Sequence, residues 1–192
     1  NISLHVPCSS FTIASCFFSP HRSEEIMIAR FQAAAEAVGA VVRRFSSVAD
    51  AAAYVRQRSG PVLAASALPD DIRRHFSDIS FAQPEEHRNA PVCVSFATAG
   101  VAATGSLLLE ISDAVERSAT ALPPIHMVFL RASAIIPDLP SLTGAIDSLL
   151  SSRPHSYLSL TTGPSRTADI ERVLTIGVHG PKELHILILE GE

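Results

Sequence analysis

The chain has 192 residues, of which 47% are hydrophobic and 18% are charged, and its formal net charge at pH 7 is −4. A chain of this length can bury one core without disulfides or a structural metal. The acidic balance and the lack of any run of Lys or Arg exclude duplex nucleic acid as an expected partner.

The first 22 residues are predicted to be a tail or edge segment, and residues 23–192 a single domain. The apolar stretch Phe11–Phe18 is too short to span a bilayer, and no basic residue precedes it, so we expect no membrane association. The chain begins with Asn1 rather than Met, which leaves a cleaved targeting remnant as the alternative interpretation of this segment.

The three cysteines, Cys8, Cys16 and Cys93, are scattered along the chain. An iron–sulfur cluster or a structural zinc needs about four ligands at short spacing, so we expect no cofactor or metal in this chain. Scattered cysteines are more typical of a reducing compartment than of a secreted disulfide scaffold, which predicts a cytoplasmic protein.

Two amphipathic helices are predicted next. Ser23 is the expected N-cap of the first, followed by two glutamates in the first turn, and Gly39 ends it. A short apolar run follows, and the second helix is predicted from Ser46 or the following serine up to Gly60.

Six short apolar runs then predict strands covered on both faces, or partly by a subunit interface in a homo-oligomer. They are Pro61–Ser66, Pro91–Phe96, Gly105–Ile111, Ile125–Arg131, Tyr157–Thr161 and Glu183–Leu189. Helices are predicted between several of them, at Pro69–Phe76, Leu139–Ser151 and Thr167–Leu174. This alternation indicates an α/β fold with a mostly parallel sheet. The short connection from Gly105–Ile111 to Ile125–Arg131 favours an antiparallel pair, and therefore a mixed sheet.

The segment Thr161–Glu171 (TTGPSRTADIE) is the sharpest candidate for a ligand site. We interpret it as a strand end, the turn Gly163–Pro164, and a helix that begins near Ser165 or Thr167. Gly163 would let the backbone approach a ligand, while Ser165, Arg166 and Thr167 would place donors at a helix N-terminus, as in an anion site beyond the carboxyl end of a strand. In the alternative, Thr167 only caps the helix, Asp169 is favoured by its dipole, and Arg166 is solvated.

Two further candidates are short. The hydroxyls of Thr104 and Ser106 flank Gly105 and are able to bind a phosphate or carboxylate, although the same triplet is a common turn. His179, followed by Gly180, is an acid, base or ligand candidate that is equally suited to fixing a turn. His126 and His185 fall within predicted strands and are expected to be satisfied core or edge residues. No nucleophile elbow, metalloprotease helix or P-loop is present, so the catalytic residues are unknown.

The segments TGPSRTADIE and LTIGVHGPKELHILIL, with LPPIHMVFLRASAIIPDL (Leu122–Leu139), resemble the lactate-utilisation (LUD) domain of the LutC/YkgG family. The resemblance implies a three-layer α/β fold similar to the NagB/RpiA/CoA-transferase group. It also implies iron–sulfur partner proteins, encoded beside family members, that carry the clusters for oxidation of L-lactate to pyruvate.

Under this resemblance the chain is an accessory subunit that binds a small anionic metabolite or a partner's redox site. The alternatives are an independent CoA-transferase-like enzyme, a metabolite sensor, or a non-catalytic paralogue. Family members usually read A-D-x-x-I-A-E-T-G, whereas the stretch Ala97–Gly105 is ATAGVAATG. Thr98 and Ala103 therefore replace the two acidic residues, and any role of those carboxylates is lost.

Overall fold

The computed structural model describes residues 20–59, 62–65, 68–111, 114–152, 157–168, 174–176 and 180–190. Its α-helices are α1 (Pro20–Ala37), α2 (Val48–Ser59), α3 (Asp70–Arg73), α4 (Ala114–Ala121) and α5 (Thr143–Ser152). Its strands are β1 (Val41–Phe45), β2 (Val62–Ala65), β3 (Ser80–Phe81), β4 (Val92–Ala97), β5 (Ala99–Val101), β6 (Ser106–Glu110), β7 (Ile125–Arg131), β8 (Ile135–Ile136), β9 (Leu158–Thr161), β10 (Arg166–Ala168), β11 (Leu174–Ile176) and β12 (Glu183–Leu189). Short 3₁₀ turns cover Arg74–Phe76, Pro84–Glu86, Ala132–Ala134 and Pro140–Leu142.

The main sheet has six strands in the order β1-β12-β7-β4-β2-β3, and every neighbouring pair in it is parallel. Strand β12 comes last in the chain but lies between β1 and β7, with Ile186 opposite Val42 on one side and Val128 on the other. Ile186 is fully buried. The last predicted strand is therefore central to the sheet, as the nearly uniform apolar pattern of residues 183–189 predicts.

A second sheet of four strands, in the order β8-β5-β6-β9, mixes parallel and antiparallel pairs. The α/β prediction with mostly parallel and some antiparallel strands is confirmed, with the two kinds of pair divided between two sheets. One expected pairing is wrong. Strands β6 and β7 lie in different sheets, with α4 between them in the chain.

The main sheet is covered on both faces. Alternate residues of β7 and β12, among them Leu130 and Ile188, pack with α1 and the mixed sheet. The intervening residues, among them Phe129 and Leu187, pack against α2 and the segment that contains Phe76. Helix α5 lies on the outer face of the mixed sheet, where it contacts Leu108 through its half-buried apolar side chains. Burial on both faces explains why β7 and β12 are apolar at most positions.

The two N-terminal helices have the predicted ends in most respects. Gly39 has φ of 92°, and the amides of Gly39 and Ala40 bond the carbonyls of Glu36 and Ala35 at 2.9 and 3.0 Å, which is a Schellman end for α1. Ser47 is the N-cap of α2, since its hydroxyl accepts a bond from the Asp50 amide at 3.2 Å. Ser23 is not an N-cap, because α1 already begins at Pro20.

The predicted helix Thr167–Leu174 is wrong in its described part. Arg166–Ala168 and Leu174–Ile176 form β10 and β11, an antiparallel pair with Thr167 opposite Thr175. Alternating polar and apolar residues suit a two-stranded ribbon as well as one turn of helix, and the sequence pattern did not separate the two. The residues between these strands lie outside the described part of the chain.

Candidate functional site

A cleft of about 240 Å³ lies between the two sheets, at the amino ends of β7 and β12. Its walls come from β6 and β9 of the mixed sheet, the end of α4, and the first residues of β7 and β12. The turns that contain Gly163 and Gly180 complete the lining. The cleft is therefore at the amino end of the main sheet, and the turn that contains Gly163 borders it directly after the carboxyl end of β9.

The most deeply buried polar group in the cleft is His126, the second residue of β7, which is 3% exposed. Its Nε2 lies 2.7 Å from the hydroxyl of Ser95, on the neighbouring strand β4. Burial lowers the pKa of His126 from 6.5 to about 4, because desolvation penalises the charged imidazolium. The imidazole is thus neutral at physiological pH, and it can donate or accept one further hydrogen bond.

Hydroxyl groups make up most of the remaining polar lining. Ser159 and Thr161 lie on the same face of β9, with their oxygens 3.5 Å apart. Thr120 donates its own hydroxyl hydrogen to the Arg117 carbonyl at 3.1 Å, so it offers a ligand only acceptor capacity. None of the described residues that line the cleft carries a formal charge at neutral pH.

The structure brings two of the predicted segments together at the rim of this cleft. The Ser165 amide donates to the Pro181 carbonyl at 3.0 Å, which ties the turn 163–165 to the turn 180–181. A Cβ atom added to Gly180 would lie 3.0 Å from the Cβ of Ser165, so the two turns touch. Of the predicted site residues, Gly163, Pro164, Ser165 and Gly180 line the cleft. Asp169 and His179 lie outside the described residues, as does the side chain of Thr167.

The Thr104–Gly105–Ser106 triplet lies beside the first of these turns but does not line the cleft. The Ser106 hydroxyl is 2.7 Å from the hydroxyls of both Thr104 and Thr162, forming a chain of three. Gly105 has φ of 66°, and a Cβ there would lie 2.3 Å from the Ala35 nitrogen of α1. The glycine therefore allows close packing on a helix.

Gly163 makes the same kind of contact just beyond the last residue of α1. A Cβ added to it would lie 2.6 Å from the Val38 carbonyl oxygen. Arg166 completes this contact, since its Nη2 donates to the same oxygen at 2.5 Å. In the structure Gly105, Gly163 and Arg166 contact the C-terminal end of α1. Contact of these residues with a ligand stays a prediction.

The two positions that depart from the family pattern lie away from the cleft. Thr98 follows β4 directly, at the carboxyl end of the main sheet, and its amide bonds the Leu108 carbonyl at 2.8 Å. Ala103 is exposed in the turn between β5 and β6. Neither residue takes part in the polar lining described above.

Sequence reasoning missed the buried pair His126 and Ser95. His126 was expected to be a satisfied core or edge residue, and it is in fact bonded, but it also lines the cleft. The available signal was a histidine inside an otherwise apolar strand, IHMVFL, which requires a buried partner. The partner, Ser95, sits in a neighbouring strand that is far away in sequence.

Within the described ranges no group of three or more His, Cys, Asp or Glu side chains is placed to hold a metal ion. None of the helices in that part of the chain is long and apolar enough to cross a membrane.

Residues 81–189, more than half of the chain, match the LUD domain family. The chain is 34% identical over 103 residues to the uncharacterized protein YkgG of Escherichia coli K12, an alignment that covers 53% of this chain and 45% of YkgG. It is 32% identical over 102 residues to lactate utilization protein C of Bacillus subtilis strain 168, covering 52% of this chain and 42% of that protein. The chain thus spans less than half of the length of these curated relatives.

A crystal structure of a DUF162 family protein from Deinococcus radiodurans is similar to this chain with a TM-score of 0.62. The match covers 88% of this chain and 98% of that one at 16% sequence identity. At this identity the likeness concerns the fold, which agrees with the α/β arrangement of two sheets.

Proposed function

Because the chain belongs to the LUD domain family, we propose that it is an accessory subunit of an iron–sulfur system for L-lactate oxidation and that its cleft binds a small anionic metabolite. The clusters belong to partner proteins, and this chain carries no redox cofactor. Its similarity to lactate utilization protein C of Bacillus subtilis supports the choice of system.

The observation that carries the proposal is the position and size of the cleft. Both turns that bear the family resemblance, around Gly163 and Gly180, form its rim. Its volume of about 240 Å³ lies below the roughly 300–1,000 Å³ of sites for drug-sized ligands. A metabolite of a few carbon atoms suits this space better than a dinucleotide.

The polar lining sets the expected affinity. Hydroxyls of Ser159, Thr161 and Ser165, together with His126, are available to hydrogen-bond a carboxylate. Each such bond contributes about 0.5–1.5 kcal/mol, so three or four of them give about 4 kcal/mol, or millimolar binding. This is a useful range for an abundant metabolite.

The side chains at positions 98 and 103 favour a second candidate function, that of a metabolite sensor on the same scaffold. Thr98 and Ala103 hold no carboxylate for proton transfer or cation binding. A role in binding, without chemistry in this chain, needs neither group.

Calorimetric titration of the full chain with L-lactate, pyruvate and inorganic phosphate tests the ligand. We expect millimolar binding of a carboxylate, weakened about three- to tenfold in Thr161→Val, which removes one hydroxyl at nearly constant volume. Thr143→Val, at an exposed position that begins α5, is the matched control and keeps the wild-type affinity. Absence of carboxylate binding, or equal effects of the two variants, contradicts the proposed site.

The subunit role has its own test. The chain is mixed with the iron–sulfur proteins encoded beside its gene and analysed by size-exclusion chromatography with visible detection. Co-elution of the chain with the brown chromophore is expected. At protein concentrations of about 10 µM, a complex with a Kd below this concentration stays largely associated. Separate elution of the chain and the iron–sulfur proteins at this concentration contradicts the subunit role.

A further inference from the structure

The cleft contains one ionisable side chain among the described residues that line it, and that side chain is buried. His126 is 3% exposed, and its Nε2 is bonded to Ser95 at 2.7 Å. Its Nδ1 has no hydrogen-bond partner within the described part of the chain. A nine-tenths buried imidazole beside a cavity, with a nitrogen that has no partner among the described residues, is suited to hydrogen-bond a ligand.

We propose that the cleft takes up a small carboxylate together with one proton, which His126 accepts as the carboxylate enters. This inference rests on the proposed function, since it requires an anion in the cleft. It adds that binding is proton-coupled and that the recognised form is the carboxylate paired with an imidazolium.

The hydroxyl of Ser95 can hydrogen-bond Nε2 of His126 in both protonation states of the imidazole. When the imidazole is neutral, the serine hydroxyl can donate to Nε2, which leaves Nδ1–H free to meet a carboxylate. When the imidazole is protonated, Nε2–H donates to the same oxygen, and Nδ1–H again remains available as a donor. The hydroxyl needs only to rotate, so neither state leaves Nε2 without a partner.

Among the residues that the structure describes, those around His126 provide no competing charge. Cys93 on β4 is its register neighbour, and Leu184 occupies the corresponding position on β12. From α4 and β9 only hydroxyl or apolar side chains line the cleft. On β6 and β12 the carboxylates Glu110 and Glu183 alternate away from it, and Glu183 is bonded to His185 at 2.9 Å.

An entering carboxylate therefore supplies the charge that the imidazolium lacks in the free protein. Burial holds the pKa of His126 near 4 when the cleft is free, and an anion in hydrogen-bond contact raises that pKa in the complex. Between the two pKa values, affinity for a carboxylate falls about tenfold for each pH unit as the pH rises. An uncharged ligand of the same shape gives no such dependence.

The test is calorimetry of the full chain with L-lactate and with L-lactamide, its neutral counterpart, between pH 5 and 7. At each pH, two buffers of different protonation enthalpy report the number of protons taken up. We expect about one proton per bound lactate at the acid end, and affinity that falls as the pH rises. Lactamide binding is expected to take up no proton.

His126→Gln is expected to bind lactate at least tenfold more weakly at pH 5, and with no proton uptake. Because this variant replaces a buried side chain, its folding is checked by thermal melting. The proton resonances of the His126 ring in the wild-type protein give a second, independent measurement, a rise of its pKa on addition of lactate.

The outcomes separate the two proposals. Lactate binding without proton uptake, or an unchanged ring pKa, overturns the proton coupling and leaves the proposed ligand site standing. No lactate binding at any pH overturns both. Equal proton uptake with lactate and lactamide also overturns the inference, because proton uptake would then not depend on the charge of the ligand.

Discussion

Arg166 donates a hydrogen bond from Nη2 to the carbonyl oxygen of Val38, 2.5 Å away, just beyond the last residue of α1. The final carbonyls of a helix have no partner within it and carry the negative end of its dipole. A guanidinium is well suited to this position, since it brings both a donor and a positive charge. The contact joins the end of α1 to the first residue of β10, more than 120 residues later in the chain.

Replacing Arg166 by Ala is expected to lower the free energy of unfolding by about 0.3–1 kcal/mol, the usual effect of a cation at an exposed helix end. Arg166→Lys keeps the charge and should recover part of this loss. Denaturant unfolding of the three proteins measures the effect. If Arg166→Ala instead weakens lactate binding tenfold and leaves stability unchanged, the ligand-contact role predicted from the sequence is correct.

Gly105→Ala is expected to destabilise the protein by at least about 2 kcal/mol, because the added Cβ meets the α1 backbone and the residue has a positive φ. The clash distance is 2.3 Å, to a backbone nitrogen that has no room to move. Gly144→Ala is the control. No atom lies within 4 Å of a Cβ at Gly144, which is in α5, so alanine there is neutral or stabilising by up to about 1 kcal/mol. Thermal or denaturant melts with the two in the opposite order would refute the close packing on α1.

The protein should lose stability between neutral and acid pH because of His126. In the unfolded chain this imidazole takes up a proton near pH 6.5, whereas burial delays uptake in the folded protein until the pKa of about 4. Stability is therefore complete above pH 6.5 and falls by about 1.4 kcal/mol for each unit below it, about 3 kcal/mol in total. Unfolding measured from pH 7 to 4 should show a smaller fall in His126→Gln. His75→Gln, at a half-buried position, is the control and should behave as wild type.

Ile186→Ala is expected to cost about 2–5 kcal/mol, as for other large-to-small changes in a core. Ile186 is fully buried in a strand that has a neighbour on each side. Leu160→Ala, at a side chain that is 49% exposed on β9, should change stability by less than about 0.5 kcal/mol. Denaturant melts in which the two variants lose equal stability would contradict the central position of β12.

Freshly purified protein should carry no iron–sulfur cluster, flavin or stoichiometric zinc, since the three cysteines are too far apart in sequence to supply a set of thiolate ligands. Visible absorption spectra and metal analysis check this. A stoichiometric brown chromophore would refute both this expectation and the assignment of the clusters to partner proteins.

The sequence predicted most of the main sheet because its strands bury both faces. Runs such as Ile125–Arg131 and Glu183–Leu189 are apolar except at His126, Arg131, Glu183 and His185, and this pattern can be recognised without knowledge of their neighbours. The short strands β5 and β8 of the mixed sheet were not predicted, because two or three residues carry no periodicity. The order of the strands in the two sheets could not be predicted from the sequence either, because it depends on contacts between segments that are distant in the chain.

The candidate site was predicted in part, and for a partly wrong reason. Gly163 was chosen as a position where backbone approaches a ligand and Gly180 as the turn beside a candidate histidine, and both border the cleft. The helix that was to bind the anion is absent from the described residues, because Arg166–Ala168 pairs with Leu174–Ile176 as strands. A glycine in a sequence indicates a close approach, but not whether the neighbour is a ligand or, as for Gly163, another helix.

The insertion of β12 between β1 and β7 affects how the chain can be made. During synthesis β12 leaves the ribosome after the other strands of the main sheet, so β1 and β7 wait without their shared neighbour. Both strands then expose an unpaired edge flanked by apolar side chains, which is the condition under which nascent chains aggregate. The nascent chain is thus expected to depend on chaperones until β12 has emerged and paired with both strands.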